Sequence, residues 1–226
     1  MPVAVITGAS AGLGRALAGA LVRREWTVLG TARGEEALRA TADELGFTAV
    51  PGDVTDPAHR AALAEAAGPR LDLLVNNASS LGVSPLPPLA DYPLEALESV
   101  YRTNVFAPLA LIRTLLPALN AANGVVVDIS SDAAVEPYEG WGAYGSAKAA
   151  LDHATAVLGV ENPELAVYAV DPGDLRTAMH QLAFPGEDIS DRPLPETAVP
   201  AFLRLLDERP PSGRYRAADF APAVHR

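Results

Sequence analysis

The chain has 226 residues, 49% of them hydrophobic and 20% charged, with a formal net charge of -11. That length and apolar fraction suit one α/β domain around a continuous core and are incompatible with a disordered chain. The acidic balance, with no run of Lys or Arg, argues against a nucleic-acid partner, and the absence of cysteine excludes disulfides, thiolate metal sites and a catalytic thiol.

Short apolar runs alternate with Ala- and Leu-rich stretches at helical spacing, the pattern of βα units around a parallel sheet. Seven strands are predicted, at 3–7, 27–31, 47–50, 71–76, 125–130, 166–171 and 213–216. Helices are predicted between and after them at 13–24, 35–45, 57–67, 94–120, 143–160, 177–182 and 196–207. VAVIT and VVVDIS are apolar almost throughout, as strands covered on both faces must be. The expected fold is therefore a doubly wound, seven-stranded parallel sheet with helices on both sides, a Rossmann-like three-layer α/β/α domain spanning residues 1–226. The start, MPVAVITG, enters an apolar strand at once. The longest apolar run, near 105–112, is far shorter than the roughly 20 residues a membrane span needs. A cytoplasmic protein without a membrane partner is expected.

Two proline-containing segments, 79–93 and 172–195, break the alternation, and both follow strand C-termini, where open α/β sheets bind ligands. The first strand runs directly into TGASAGLG, which places Gly8, Gly12 and Gly14 in the turn opening the first helix. Glycines there permit tight turning and close backbone approach, and helix N-terminal amides attract a pyrophosphate; the alternative is an ordinary tight βα turn. Tyr144 and Lys148, the chain's only lysine, are four apart and share one helix face. An ammonium beside a phenol stabilises the phenolate and would bring its pKa toward neutrality. His59, His153, His180 and His225 lack metal-ligand spacing, so no metal site is expected. His180 sits in the long loop after a strand. Trp141, Tyr138 and Phe184 are either pocket walls or loop anchors. Asp132, Glu136, Glu139 and Asp174 are either solvated surface or contacts to a polar or cationic substrate.

TGASAGLG is followed in order by GDVTD (52–56), NNAS (76–79), TNVF (103–106), ISS (129–131), YGSAK (144–148) and DPGDLRT (171–177), and this series resembles the short-chain dehydrogenase/reductase family in its single-domain branch. The resemblance implies catalytic roles for Asn104, Ser131, Tyr144 and Lys148. The cofactor would lie on Gly8, Ser10, Gly12, Leu13 and Gly14. Asp53 and Val54 would contact its adenine, the backbone from Asn76 to Ala78 would lie along its adenosine side, and Pro172, Gly173, Leu175 and Thr177 would hold its nicotinamide end, with Tyr144 and Lys148 below. Asn104 would hold Lys148 through a water.

The second strand ends in Ala32 and Arg33, where an NAD-binding acid is otherwise expected, so NADP(H) is favoured over NAD(H). Glu35 and Glu36 could instead reach the ribose or complement the next helix's N-terminus. Ser79 stands where the family usually has glycine and would be strained if that position needs positive φ. The expected activity is NADP(H)-dependent interconversion of a small-molecule carbonyl and alcohol with Tyr144 as general acid/base. A catalytically silent redox sensor, or an epimerase or dehydratase on the same fold, are the alternatives. By the same resemblance the chain is expected to form a homo-oligomer, a dimer through the helices carrying Asn104 and Tyr144 or a tetramer.

Overall fold

The computed structural model describes residues 1–220; His225 lies outside them. Seven parallel strands form one sheet in the order β3-β2-β1-β4-β5-β6-β7. They are β1 (Val3–Thr7), β2 (Thr27–Thr31), β3 (Thr48–Ala49), β4 (Leu73–Asn76), β5 (Val125–Ile129), β6 (Ala166–Asp171) and β7 (Gly213–Arg216). The chain starts at the sheet's centre, winds outward to β3, then returns beside β1 and winds the other way. That reversal between β1 and β4 opens a crevice at their C-terminal ends, the topological switch point of doubly wound sheets.

The covering helices are α1 (Gly12–Arg23), α2 (Glu35–Leu45), α3 (Pro57–Ala67), α4 (Leu94–Tyr101), α5 (Ala107–Ala122), α6 (Gly142–Glu161), α7 (Ala178–Ala183) and α8 (Val199–Glu208). Strand side chains alternate between two cores. Ile6, Leu73, Val75 and Val127 pack with Leu17, Leu21 and Phe202 on one side, while Val5, Leu74 and Val126 pack with Leu63, Leu111 and Leu115 on the other. Because both faces are covered, the central strands β1, β4 and β5 are apolar at nearly every position. Local chemistry sets several helix ends. Asp56 Oδ1 accepts from the Ala58 amide at 2.9 Å ahead of Pro57, and Gly46 closes α2 in the left-handed region at φ 82°.

The fold class matches the sequence expectation, and the differences are local. The third strand is only Thr48–Ala49, because the Phe47 amide bonds back to Ala42 O at the end of α2. Leu71 likewise gives its amide to Ala118 O on α5, so β4 begins at Leu73. The helix expected over 94–120 is α4 and α5 joined by a π-helical turn, Arg102–Phe106, which carries the buried Asn104. The last helix is preceded by a 3-10 turn at Pro195–Thr197 and starts at Val199.

By length and composition Leu94–Ala122 is also apolar enough to cross a membrane, which the shorter run read from sequence does not indicate. Its apolarity is matched by Leu111, Ile112, Leu115 and Leu119, all buried in the core against β4 and β5. Leu111→Ala, at a side chain with no exposed surface, is expected to cost about 3 kcal/mol. Thermal denaturation should show this as a fall in Tm of roughly 10 °C.

Candidate functional site

A cavity of about 780 Å³ runs along the C-terminal edge of the sheet across the switch point. Its two loop walls are joined by Thr7, whose Oγ1 accepts from the Asn77 and Ala78 amides, each at 2.9 Å. Asn77 Nδ2 answers by donating to Thr7 O at 2.9 Å and Gly8 O at 3.2 Å. Gly8 and Gly12 have φ of 68° and 55°, conformations costly for other residues. A Cβ on Gly14 would stand 2.3 Å from Gly8 O, so this glycine permits the helix to start against the turn.

The N-cap of α1, Ala11, makes no side-chain capping bond, and no acid stands in the first turn. That leaves the first-turn amides of α1 without a side-chain acceptor, which suits an anion. Gly8, Ser10, Gly12 and Leu13 line the cavity here; Gly14 does not, and supports the turn from behind.

At the adenosine end Arg33, Asp53 and Val54 line the cavity. Arg33 is exposed and forms no ion pair among the described residues. Neither Glu35 nor Glu36 lines the cavity, and Glu35 is paired with Arg39 at 2.8 Å. Burial alone would raise the Asp53 carboxyl, but hydrogen bonds from the Thr55 amide and hydroxyl, both 2.8 Å, with the Arg33 charge, hold it below the usual range. Below this loop lies His59, which sequence reasoning assigns no role. It is buried against Thr31 Oγ1 at 2.7 Å, and burial lowers its pKa.

At the other end Tyr144 and Lys148 rise from α6, and Ser131 follows β5; all three line the cavity. Pro172, Gly173, Leu175 and Thr177 complete that wall after β6. Thr177 caps α7 through its Oγ1, which accepts from the His180 amide at 3.1 Å. Ser84, in the other loop, donates its hydroxyl to Leu182 O at 2.6 Å, tying the two proline-containing segments together over the cavity.

The expected tuning of the phenol is absent from this geometry. Lys148 Nζ lies 5.5 Å from the centre of the Tyr144 ring and donates to Ile129 O at 2.5 Å. Burial pushes the Tyr144 phenol above its ordinary value, the Asp132 and Asp171 charges add to the rise, and only the Ser79 and Ser131 hydroxyls oppose it. Burial lowers Lys148 to about 8, against the charges of Asp128 and Asp152. The Ser131 hydroxyl itself donates to Asp132 Oδ1 at 2.9 Å.

Two of the expected residues do not line the cavity. The Asn76 side chain donates to the fully buried Asp128 at 2.7 Å, while Asn77 and Ala78 of the same stretch line the cavity. Asn104 does not reach the cavity. Its Oδ1 accepts from the Ser80 amide at 2.8 Å and its Nδ2 donates to Ser80 O at 2.8 Å, so its side chain fastens the loop after β4. Ser79 is not among the positive-φ residues and carries no backbone strain; its hydroxyl donates to Asn104 Oδ1 at 3.3 Å.

A polar layer missed in the sequence supports Ser131 and Lys148. Asp152 Oδ2 accepts from Ser130 Oγ at 2.7 Å and Arg214 Nε at 2.9 Å, and Arg214 also donates to Ser131 O at 2.9 Å. Its one local signal is Asp152, one helical turn after Lys148; Arg214 comes from a distant strand. Among the described residues no group of His, Cys, Asp or Glu could hold a metal ion.

The lowered Lys148 value has a testable sign. A buried lysine titrating near 8, against 10.5 in the unfolded chain, costs stability below about pH 8, and that cost disappears as pH rises toward 10.5. Relative to Lys148→Met, the wild type should therefore gain about 3 kcal/mol over that window. Urea unfolding of both proteins as a function of pH measures it.

The profile of the family described as short chain dehydrogenase matches residues 2–188. Serine 3-dehydrogenase of Agrobacterium fabrum is 38% identical over 76% of this chain and 72% of its own. Sepiapterin reductase of Xenopus laevis is 36% identical over 92% of this chain and 83% of its own. A short chain dehydrogenase of Shigella flexneri, solved in complex with NADP, superposes with a TM-score of 0.88 at 31% identity, covering 96% of this chain and 97% of that one. With its doubly wound sheet and this extent of similarity, the chain belongs to the short-chain dehydrogenase/reductase family of oxidoreductases.

Proposed function

We propose that the chain is an NADP(H)-dependent oxidoreductase that interconverts a carbonyl and an alcohol, with Tyr144 as general acid/base. The observation that carries this reading is the single cavity shared by the glycine turn, Arg33 and the Ser131, Tyr144, Lys148 group. The residues present fit the cofactor. The uncapped start of α1 suits a pyrophosphate, and Arg33, in no ion pair among the described residues, suits a 2'-phosphate. The NADP complex of the Shigella flexneri neighbour supports the same choice.

A bound nicotinamide would supply or accept the hydride at the substrate carbon. Tyr144 gives its phenolic proton to the substrate oxygen in reduction and takes it back in oxidation. A phenol raised by burial holds its proton at neutral pH, so Tyr144 starts as the donor form. Ser131 donates to the same oxygen once its hydroxyl leaves Asp132, stabilising developing charge. Lys148 supports the phenolate once its ammonium turns from the Ile129 carbonyl toward Tyr144. Asn104 acts at one remove, by fixing the loop that carries Ser79 and Ser80.

We also read the protein as a cytoplasmic homodimer formed through α4, α5 and α6. Leu94 on α4, Phe106 before α5 and Val160 on α6 are apolar and exposed, by 70%, 59% and 82%, as side chains at such an interface would be in the free protomer.

Tyr144→Phe is expected to lower turnover of aldehyde, ketone or diketone substrates about a thousandfold, a loss typical of a missing general acid. NADPH affinity should be unchanged, and full activity would refute the assignment. Arg33→Ala should weaken NADPH binding about 10- to 100-fold with little effect on NADH. Fluorescence titration with both cofactors reads this, and equal loss for both would remove the 2'-phosphate role.

A further inference from the structure

The substrate end of the cavity carries an uneven charge. Asp132 and Asp174 line it, Asp174 with Arg192 Nε at 3.6 Å from behind, yet among the described residues the only Lys or Arg side chains on the cavity wall are Arg33, at the adenosine end, and Lys148, under Tyr144. A substrate carboxylate or phosphate would meet no guanidinium or ammonium of its own there. Asp132 has no salt-bridge partner among the described residues.

Asp132 is also fixed in place. Its Oδ1 accepts from Ser131 Oγ at 2.9 Å and the Ala133 amide at 2.8 Å, and its Oδ2 shares the single Tyr138 hydroxyl proton with Glu136 Oε2, each at 3.0 Å. A carboxylate has about four acceptor positions, so one is left for a ligand. Aromatic side chains line the same cavity. Trp141 stands edge-on to Tyr144 with centres 5.7 Å apart and tilts against Phe184 at 6.2 Å, and His180 lies 5.0 Å from Phe184. His180 Nε2 is sealed from solvent with no hydrogen-bond partner among the described residues. Aromatic faces and an unpaired carboxylate around one cavity are the chemistry that recognises an organic cation.

We propose that this end of the cavity selects carbonyl or alcohol compounds carrying a cationic nitrogen, with Asp132 receiving the nitrogen and Trp141 and Phe184 packing against the carbon next to it. The proposal rests on the oxidoreductase reading of the same cavity. It joins recognition to chemistry: a cation beside Asp132 offsets a charge that adds to the burial-driven rise of the Tyr144 phenol.

Binding of unreactive probes tests this apart from turnover. Phenylpropylamine, phenylpropanamide and phenylpropanoate share a ring and chain but present a positive, neutral or negative end at pH 7. Calorimetric titration of the full chain, with and without NADP, should show the amine binding about tenfold or more tighter than the amide, with the carboxylate weakest. In Asp132→Asn the amine should fall to the affinity of the amide. Asp174→Asn, at an exposed position outside the hydrogen bonds of Ser131, should give a smaller fall and guards against a folding defect in the first variant. Amide or carboxylate affinity equal to that of the amine, or an unchanged preference in Asp132→Asn, would overturn the proposal. Absence of hydride transfer with any carbonyl substrate would count against the oxidoreductase reading alone, since the titrations register binding whether or not reaction follows.

Discussion

The cavity keeps its walls because Thr7 ties together the loops that leave two paired strands in opposite directions. At the end of β1 its hydroxyl takes the amides of Asn77 and Ala78, which follow β4, and so joins loops about 70 residues apart in sequence. Helices leave β1 and β4 toward opposite faces of the sheet, so without such a tie the crevice between them would have mobile walls. Gly8 and Gly14 act in the same small volume, since a Cβ on Gly8 would stand 2.7 Å from Asn77 Nδ2 and one on Gly14 would stand 2.6 Å from it. The glycine turn is shaped as much by this contact with the β4 loop as by any ligand.

Behind that cavity the protein stores charge where charge is expensive. Lys148 and Asp128 are both almost wholly buried, and burial moves each away from its charged form. Asn76 and Thr155 hold the Asp128 carboxylate at 2.7 Å each, and the Ile129 carbonyl takes the Lys148 ammonium. Further out, Arg214 links β7 to α6 through Asp152 and to the backbone of Ser131. Groups this costly to bury are stable only when nearly every polar atom finds a partner, and here one, Asp152 Oδ1, finds none among the described residues.

Much of this was legible in the sequence because it is local. Strand periodicity, Gly and Asp caps, the glycine turn and the i, i+4 relation of Tyr144 and Lys148 each need only a few neighbouring residues. What escaped is non-local. The side chain of Asn104 follows Ser80, 24 residues earlier, and Arg214 reaches Asp152 across 62 residues. Neither has a spacing that could announce it. The resting position of Lys148 escaped for another reason: its choice between a phenol and the Ile129 carbonyl depends on burial, and sequence spacing places a lysine on a face without fixing its partner.

The π turn at Arg102–Phe106 shows how one helix can serve two surroundings. An α-helix advances about 100° per residue, so the added residue of a π turn resets the angular phase of everything beyond it. Val100 and Val105 pack toward α6 through Ala147, while Leu111, Leu115 and Leu119 turn to the sheet. The fold would therefore register loss of a residue from this turn as a rotation of one half of the rod against the other, rather than a shortening. Asn104 stands at the swivel, and its grip on Ser80 makes that phase setting visible at the cavity rim.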